Sequence, residues 1–321
     1  MPILSTSPRQ ERASDEAWLA ARLHTVPARP PALQERCEHH ELGQFIPLAY
    51  HFNMLADDAR MAAFKEAIGL TVSAGQTVLE LGGGTGVLSF FAAQTSTRVL
   101  CVEKNPELVQ QARQILATNG VAKRVTVIQA DAFDYLPPDP VDVVICEMLH
   151  VGMLREKQLQ VIESFKTRYL EKFGPPLPVF IPEAYFQAIQ PVQHSFDYHG
   201  YHAPTPVFQD PLARHPRTRA LGTPIIFQSA SYGDRLSLDC SWAGTLTITE
   251  SGKLNALRFI TKNILAIVQA QQRTVDWTNQ YLVVPLDAPV QVQRGQKTRI
   301  SFTYQAGDPV STLQPRIERV R

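Results

Sequence analysis

The sequence predicts a Rossmann-like α/β domain followed by an antiparallel β-barrel domain. Three observations predict it. A buried strand from Thr77 to Leu81 runs into a glycine-rich turn, Gly82 to Gly86. A second strand, Arg98 to Glu103, ends on an acid, as in the opening of a nucleotide-binding βαβ unit. Beyond a proline-marked crossing from Phe173 to Pro182, helical spacing gives way to strand alternation, visible at Leu236, Leu238 and Cys240 and again at Ile300, Phe302 and Tyr304. The expected division is an extension over residues 1–40, a nucleotide-binding domain over 41–182 and a β domain over 183–321.

Composition sets the bounds. The chain has 321 residues, enough for two domains, and is 44% hydrophobic and 19% charged, as expected of a globular protein. A formal net charge of +1 makes no global case for nucleic acid or an anionic membrane as partner. Local basic patches remain open, for example at Arg214, Arg217 and Arg219. The polar start, with Arg9, Glu11, Arg12, Asp15 and Glu16, contains no long apolar run, so neither a signal peptide nor a membrane span is expected. The four cysteines, Cys37, Cys101, Cys146 and Cys240, form no metal-type pair. Cys101 and Cys146 read as free buried thiols, which fits a cytoplasmic setting.

Taken in order, residues 1–40 are polar and proline-rich, with a short helix expected from Glu16 to Leu23. A helix is expected over 50–68, ended by Gly69. Met54, Asp57 and Arg60 lie three apart on it and are surface neighbours, so Asp57 and Arg60 read physically as an exposed ion pair. After the glycine turn, Leu88, Phe90, Phe91, Ala92 and Ala93 form the apolar residues of a helix. Asn105 is a good N-cap and Pro106 a good first helical residue; Gly120 ends that helix. A third strand, Arg124 to Gln129, leads to Asp131 and Ala132. A fourth, Val141 to Cys146, leads to Glu147. The next acid, Glu156, is nine residues on. A continuous helix would point the two about 180° apart, so they converge only if the segment turns back, which Gly152 permits. Two carboxylates facing one pocket repel unless a cation lies between them, and a planar guanidinium suits that place.

Glycine spacing selects the nucleotide. Gly82 and Gly84 fit the first two positions of the dinucleotide fingerprint, but Val87 stands at the third. The pattern from Glu80 to Gly86 resembles motif I of the class I methyltransferases, which bind S-adenosylmethionine (SAM). The stretch His51, Met54, Leu55, Asp57, Arg60 and the pair Glu147 and Glu156 resemble the protein arginine methyltransferases, in family order. The resemblance covers most of residues 45–305 and implies a SAM domain followed by a β-barrel, with the cofactor held by His51, Met54, Arg60, Glu80, Gly82, Gly84, Glu103, Asp131 and Ala132. Within that set it implies that Arg60 binds the SAM carboxylate, Met54 lies near the sulfur, Glu103 takes the ribose hydroxyls, and Asp131 with Ala132 reads adenine. It implies Glu147 and Glu156 as the acceptor clamp, and no metal.

The chain also departs from the family. Asp276, beside Trp277, stands where the family's barrel loop carries a histidine, so Asp276 is expected at the acceptor pocket. Phe133 stands where arginine methyltransferases often place the adenine-binding acid. The paired tyrosines before the cofactor helix are absent, with Phe45 near one position. The insertion over 193–223 has the place of the family's dimerisation arm, which implies a homodimer, but it lacks helical periodicity. Its histidines, His194, His199, His202 and His215, read as a surface loop rather than a metal site.

The expected activity is N-methylation of a guanidino nitrogen. A histidine at position 276 would offset the nearby Asp57, which an aspartate cannot; with Arg60 assigned to the SAM carboxylate, an α-ammonium on the substrate would supply the missing charge. This reasoning favours free arginine or another small guanidino compound as acceptor. The alternatives are an arginine side chain of a protein, a SAM-binding regulator without catalysis, and a nucleotide-dependent oxidoreductase. Retention of both glutamates argues against the regulator, and Val87 against the oxidoreductase.

Overall fold

A computed structural model describes residues 48–96 and 98–318. The expected helix at Glu16 to Leu23, together with Cys37 and Phe45, lies outside the described residues. The first half opens with helices α1 (Leu48–Leu55) and α2 (Asp58–Thr71). Then come β1 (Thr77–Leu81), α3 (Val87–Ala92), β2 (Arg98–Glu103), α4 (Pro106–Thr118), β3 (Val125–Gln129), β4 (Val143–Cys146), α5 (Gln158–Phe173) and β5 (Val179–Ile181). Among the described residues the five strands form one parallel sheet in the order β3-β2-β1-β4-β5. The order reverses at β1, so the crevice outside the carboxyl ends of β1 and β4 is where such a fold takes a ligand.

Local chemistry explains these elements. The central strands are apolar runs buried on both faces; Val78, Leu79, Val143, Val144 and Ile145 have no exposed surface. Asn105 caps α4 by accepting from the Glu107 N–H at 2.9 Å, with Pro106 at the first helical position. The single helix expected over 50–68 is two helices. The Asp57 carboxylate accepts from the Arg60 backbone N–H at 2.9 Å, which starts a new helix there. That helix runs past Gly69 to Thr71.

The second half comprises β6 (Ala184–His194), β7 (Asp197–Tyr198), β8 (Tyr201–His202), β9 (Val207–Gln209), β10 (Thr218–Ala220), β11 (Ile225–Ser231), β12 (Asp239–Thr247), β13 (Gly252–Val268), β14 (Arg273–Thr278), β15 (Tyr281–Val292), β16 (Lys297–Gln305) and β17 (Arg316–Glu318). Among the described residues β6, β9–β11 and β13–β15 make a seven-stranded sheet, and β12, β16 and β17 a three-stranded one; every pairing is antiparallel. The two sheets meet through Phe302, whose ring lies 5.0 Å from Phe227 and 5.2 Å from Phe259. The expected antiparallel domain is thus present, as two sheets in contact.

Two details differ from expectation. The stretch with Asp276 and Trp277, expected as a loop, is strand β14 paired with β13. The 193–223 insertion contains short strands: β10 pairs with β6, β9 with β15, and β7 with β8. Its basic residues stay within it or on its neighbours. The Arg217 guanidinium lies 4.9 Å from the Tyr198 ring, and Arg219 donates to Gln193 and to the Ser251 carbonyl.

Among the described residues no helix is long and apolar enough to cross a membrane, and no three His, Cys, Asp or Glu side chains gather as a metal set. Cys101, Cys146 and Cys240 are buried free thiols.

Candidate active site

The glycine turn at the end of β1 is held against β2. The N–H groups of Gly82 and Gly83 both donate to the Val102 carbonyl, at 2.9 and 2.8 Å. Gly82, Gly84 and Gly86 have φ of 78°, 53° and 81°, a region costly for other residues. Space matters as much as angle. A Cβ on Gly84 would come within 2.7 Å of the His51 ring, and one on Gly83 within 2.3 Å of the Cys101 sulfur. Bare backbone is therefore required where the turn borders the cavity.

Glu80 and Glu103 brace this turn differently. Glu80, 2% exposed, accepts from the Ser89 N–H at 2.9 Å and from the Ser89 hydroxyl, tying β1 to α3. Burial pushes its carboxyl up to about 7, against the pull of those bonds. Glu103 accepts from the Gly84 N–H and from the Asn105 N–H, each at 2.8 Å. Its carboxylate thus stands at the cavity wall beside Gly84.

The wall opposite comes from α1 and α2. Tyr50, His51, Asn53, Met54 and Arg60 all border the cavity. The exposed ion pair of Asp57 with Arg60 does not form. Asp57 is spent on the helix cap, while the Arg60 guanidinium, 7% exposed, is paired with the Glu147 carboxylate. Another nitrogen of the same guanidinium donates to the Met54 carbonyl at 3.4 Å. His51 is held below its ordinary pKa by burial first and by the Arg60 charge second, so it is neutral near pH 7.

Asp131 accepts from Lys104 Nζ at 2.8 Å and from the Phe133 N–H at 3.0 Å. Partial burial raises its pKa, but those bonds outweigh the burial and leave it low. Asp131, Ala132 and Phe133 line the same cavity, below the end of β3.

The chain reverses between the two glutamates. After Glu147 the chain turns through Val151–Met153, where Gly152 has φ of 73° and Met153 and Arg155 are also left-handed, at 53° and 59°. Glu147 and Glu156 both line the cavity. Burial, and then the Glu147 charge, push the Glu156 carboxyl up to about 8. The hairpin is pinned from several sides. Gln158 accepts from the Met148 N–H and donates to the Cys146 carbonyl, while Asn279 donates to the Leu149 carbonyl at 2.8 Å.

Asp276 is a correction. It does not border the cavity; its carboxylate is 2.9 Å from Lys262 Nζ. Consecutive strand residues face opposite ways. On β14, Trp277 turns toward the cavity and its ring lies 6.1 Å from Phe64 of α2, whereas Asp276 turns to the face carrying its diagonal neighbour Lys262. The cation thought to be missing is therefore a lysine of the adjacent strand.

Sequence reasoning missed Tyr50, Met148, Asn279 and Gln280, which also line the cavity. Tyr50 stands beside His51 in a stretch already singled out, and its phenol is pushed up by burial first and by the nearby Glu156 charge second. Asn279 follows Trp277 by two residues, just past the end of β14, and lines the same cavity.

The comparisons agree with this geometry. Residues 72–174 match the model of a methyltransferase domain. An uncharacterized protein of Methanothermobacter thermautotrophicus is 28% identical over 84% of this chain and 97% of its own length. Protein arginine N-methyltransferase 1 of Dictyostelium discoideum is 34% identical, over 40% of this chain and 38% of that protein. Arginine N(omega)-methyltransferase of Streptomyces achromogenes subsp. streptozoticus is also 34% identical, over 40% of this chain and 37% of that protein. Among solved structures, the Trypanosoma brucei PRMT1 enzyme–prozyme heterotetramer with AdoHcy shares the fold, with a TM-score of 0.68 at 16% identity over 86% of this chain and 99% of that one. Residues 72–174 thus carry a methyltransferase domain of the SAM-dependent kind, and the chain resembles the protein arginine methyltransferases.

The cavity suits that cofactor. Gly82 and Gly84 border the cavity, with Met148 and the His51 ring packed against them where a side chain would stand. His51 Nε2 and Arg60 Nε are buried with no hydrogen-bond partner among the described residues, leaving polar atoms for a ligand to satisfy.

Proposed function

We propose that the chain methylates a guanidino nitrogen held between Glu147 and Glu156. The convergence of these two carboxylates on the cavity floored by the glycine turn carries the reading. When bound, SAM supplies an electrophilic methyl group on a positively charged sulfur. Toward it, Glu103 accepts from the ribose hydroxyls, Asp131 and the Ala132 N–H take the adenine edge, and Arg60 donates to the carboxylate with Met54 alongside. Gly82 and Gly84 give the close approach, and His51 covers Gly84. Glu80 works through Ser89, holding the turn in shape.

The acceptor chemistry follows from charge. Glu147 and Glu156 grip the planar cation from two edges, fix its orientation and direct one nitrogen along the line of transfer. Transfer would form a nitrogen–carbon bond as the sulfur–carbon bond breaks, and the nitrogen would then give up a proton. Glu156, ionised while the cation lies against it, is the carboxylate suited to receive it, because burial raises its affinity for a proton.

Free arginine or another small guanidino compound is the first acceptor proposed. The chain is as similar to a relative named for arginine as to one named for protein arginine, at 34% each. The earlier support from Asp276 falls away, because Lys262 neutralises it. A SAM-binding regulator is disfavoured by two acids facing one cavity, which binding of the cofactor alone does not require. The test is transfer from labelled SAM to free arginine and to an arginine-rich peptide in parallel. Label in free arginine supports the reading, label in the peptide alone assigns a protein acceptor, and label in neither overturns guanidino transfer.

A further inference from the structure

Two hydroxyls of the antiparallel domain stand where apolar side chains would be expected. Thr261, in the long strand β13, has no exposed surface, and Tyr304, in β16, is 4% exposed. A buried hydroxyl costs stability unless it is hydrogen-bonded. Both find partners on one residue of the other half. The Gly152 N–H donates to the Thr261 hydroxyl at 2.8 Å, and the Tyr304 hydroxyl donates to the Gly152 carbonyl at 2.8 Å. The Gln187 side-chain oxygen Oε1 lies 3.1 Å from the same tyrosine hydroxyl, and Gln187 is itself fully buried and bonded through its side chain to Gln228. Gly152 is the left-handed residue at which the chain reverses between Glu147 and Glu156. Both of its backbone polar groups are therefore committed to the second domain.

We infer that Thr261 and Tyr304 are positioning residues for the acceptor clamp: they hold Gly152 in its reversed conformation and so set the position of Glu156 relative to Glu147. The inference rests on the proposed guanidino transfer for its catalytic consequence, but not for its structural content. Neighbouring bonds hold the chain after the turn. The Gly307 N–H donates to the Met153 carbonyl at 2.7 Å, and the Arg155 N–H to the Asp308 carbonyl at 2.8 Å. These are backbone bonds available to any sequence. The two hydroxyls at Gly152 are specific to the side chains present.

The test compares Thr261→Val, Thr261→Ser and Tyr304→Phe. Valine keeps the shape and removes the hydroxyl; serine restores it. Hydrogen–deuterium exchange at the Gly152 amide reads the clamp without any activity. Thr261→Val should exchange at least about tenfold faster than wild type, and Thr261→Ser near the wild-type rate. With an acceptor that wild type methylates, Thr261→Val and Tyr304→Phe should lose roughly 10- to 100-fold in kcat, the cost of misplacing a reacting group by about an ångström. S-adenosylhomocysteine affinity should stay within about twofold in all three, because the cofactor wall is elsewhere. Unchanged Gly152 exchange in Thr261→Val would overturn the inference, as would wild-type kcat in both hydroxyl-free variants. If wild type methylates no guanidino compound, the proposed function fails while the exchange result still decides the clamp. If Thr261→Val does not fold, Tyr304→Phe, which removes one oxygen, decides through the same exchange and kcat readings.

Discussion

At the scale of single residues, most of the cavity's chemistry lies in carboxylates with different partners. Glu103 is fixed by two backbone N–H groups, so its position does not depend on a ligand. Glu103→Ala should weaken S-adenosylhomocysteine binding by about 1–3 kcal/mol, the range for a hydrogen bond involving a charged group. Calorimetry measures this directly, and unchanged affinity removes Glu103 from the ribose. Glu156 is instead raised to about 8 by burial and by Glu147. Folding therefore takes up a proton on Glu156 between its unfolded pKa, near about 4.5, and about 8. The sign follows: this group costs progressively more stability as pH rises through that window, and the cost is complete above it. Glu156→Gln removes the cost, so its melting temperature should exceed wild type at pH 8.5 and converge on it near pH 4. Each kcal/mol should appear as roughly 2–4 °C. Thermal melts at the two pH values check it.

At the scale of elements, the cofactor helix is set by its cap. Asp57 starts α2 and thereby orients Arg60, which reaches Glu147, 87 positions away in the chain. Trp277 of β14 packs on Phe64, and Arg60 lies 5.4 Å from the same ring, so α2 links the antiparallel domain to the clamp. Asp57→Ala should lower stability by about 1 kcal/mol through the lost cap. Denaturant unfolding measures this, with Asp57→Asn, which keeps a capping oxygen, expected near wild type. The elements also show what the sequence makes legible. The glycine turn could be read because positive φ and bare backbone demand glycine, and the glutamate turn because nine residues on a straight helix would part the acids. The pairing of Arg60 with Glu147 could not be read, since no local rule joins residues so far apart. Asp276 was misplaced because its neighbour Trp277 matches the family. In a strand that neighbour is the residue facing the other way.

At the scale of the molecule, the proposed function has the parallel domain provide the cofactor wall and the antiparallel domain fix the acceptor side. Asn279, Thr261 and Tyr304 all reach the segment between Glu147 and Glu156. Alternation of apolar residues predicted the strands of that domain. It did not predict which polar side chains would cross to the hairpin, because such bonds depend on how two sheets and a turn meet. The central claim is that the paired carboxylates act on a cation and not on the cofactor. It is tested most directly by Glu147→Gln, with S-adenosylhomocysteine binding and methyl transfer measured on the same preparation. Transfer to the guanidino acceptor should fall by about 100-fold or more, as for loss of a preorganised charge at the reacting centre, while cofactor affinity changes by less than about 1 kcal/mol. Near-wild-type transfer by Glu147→Gln would contradict the account.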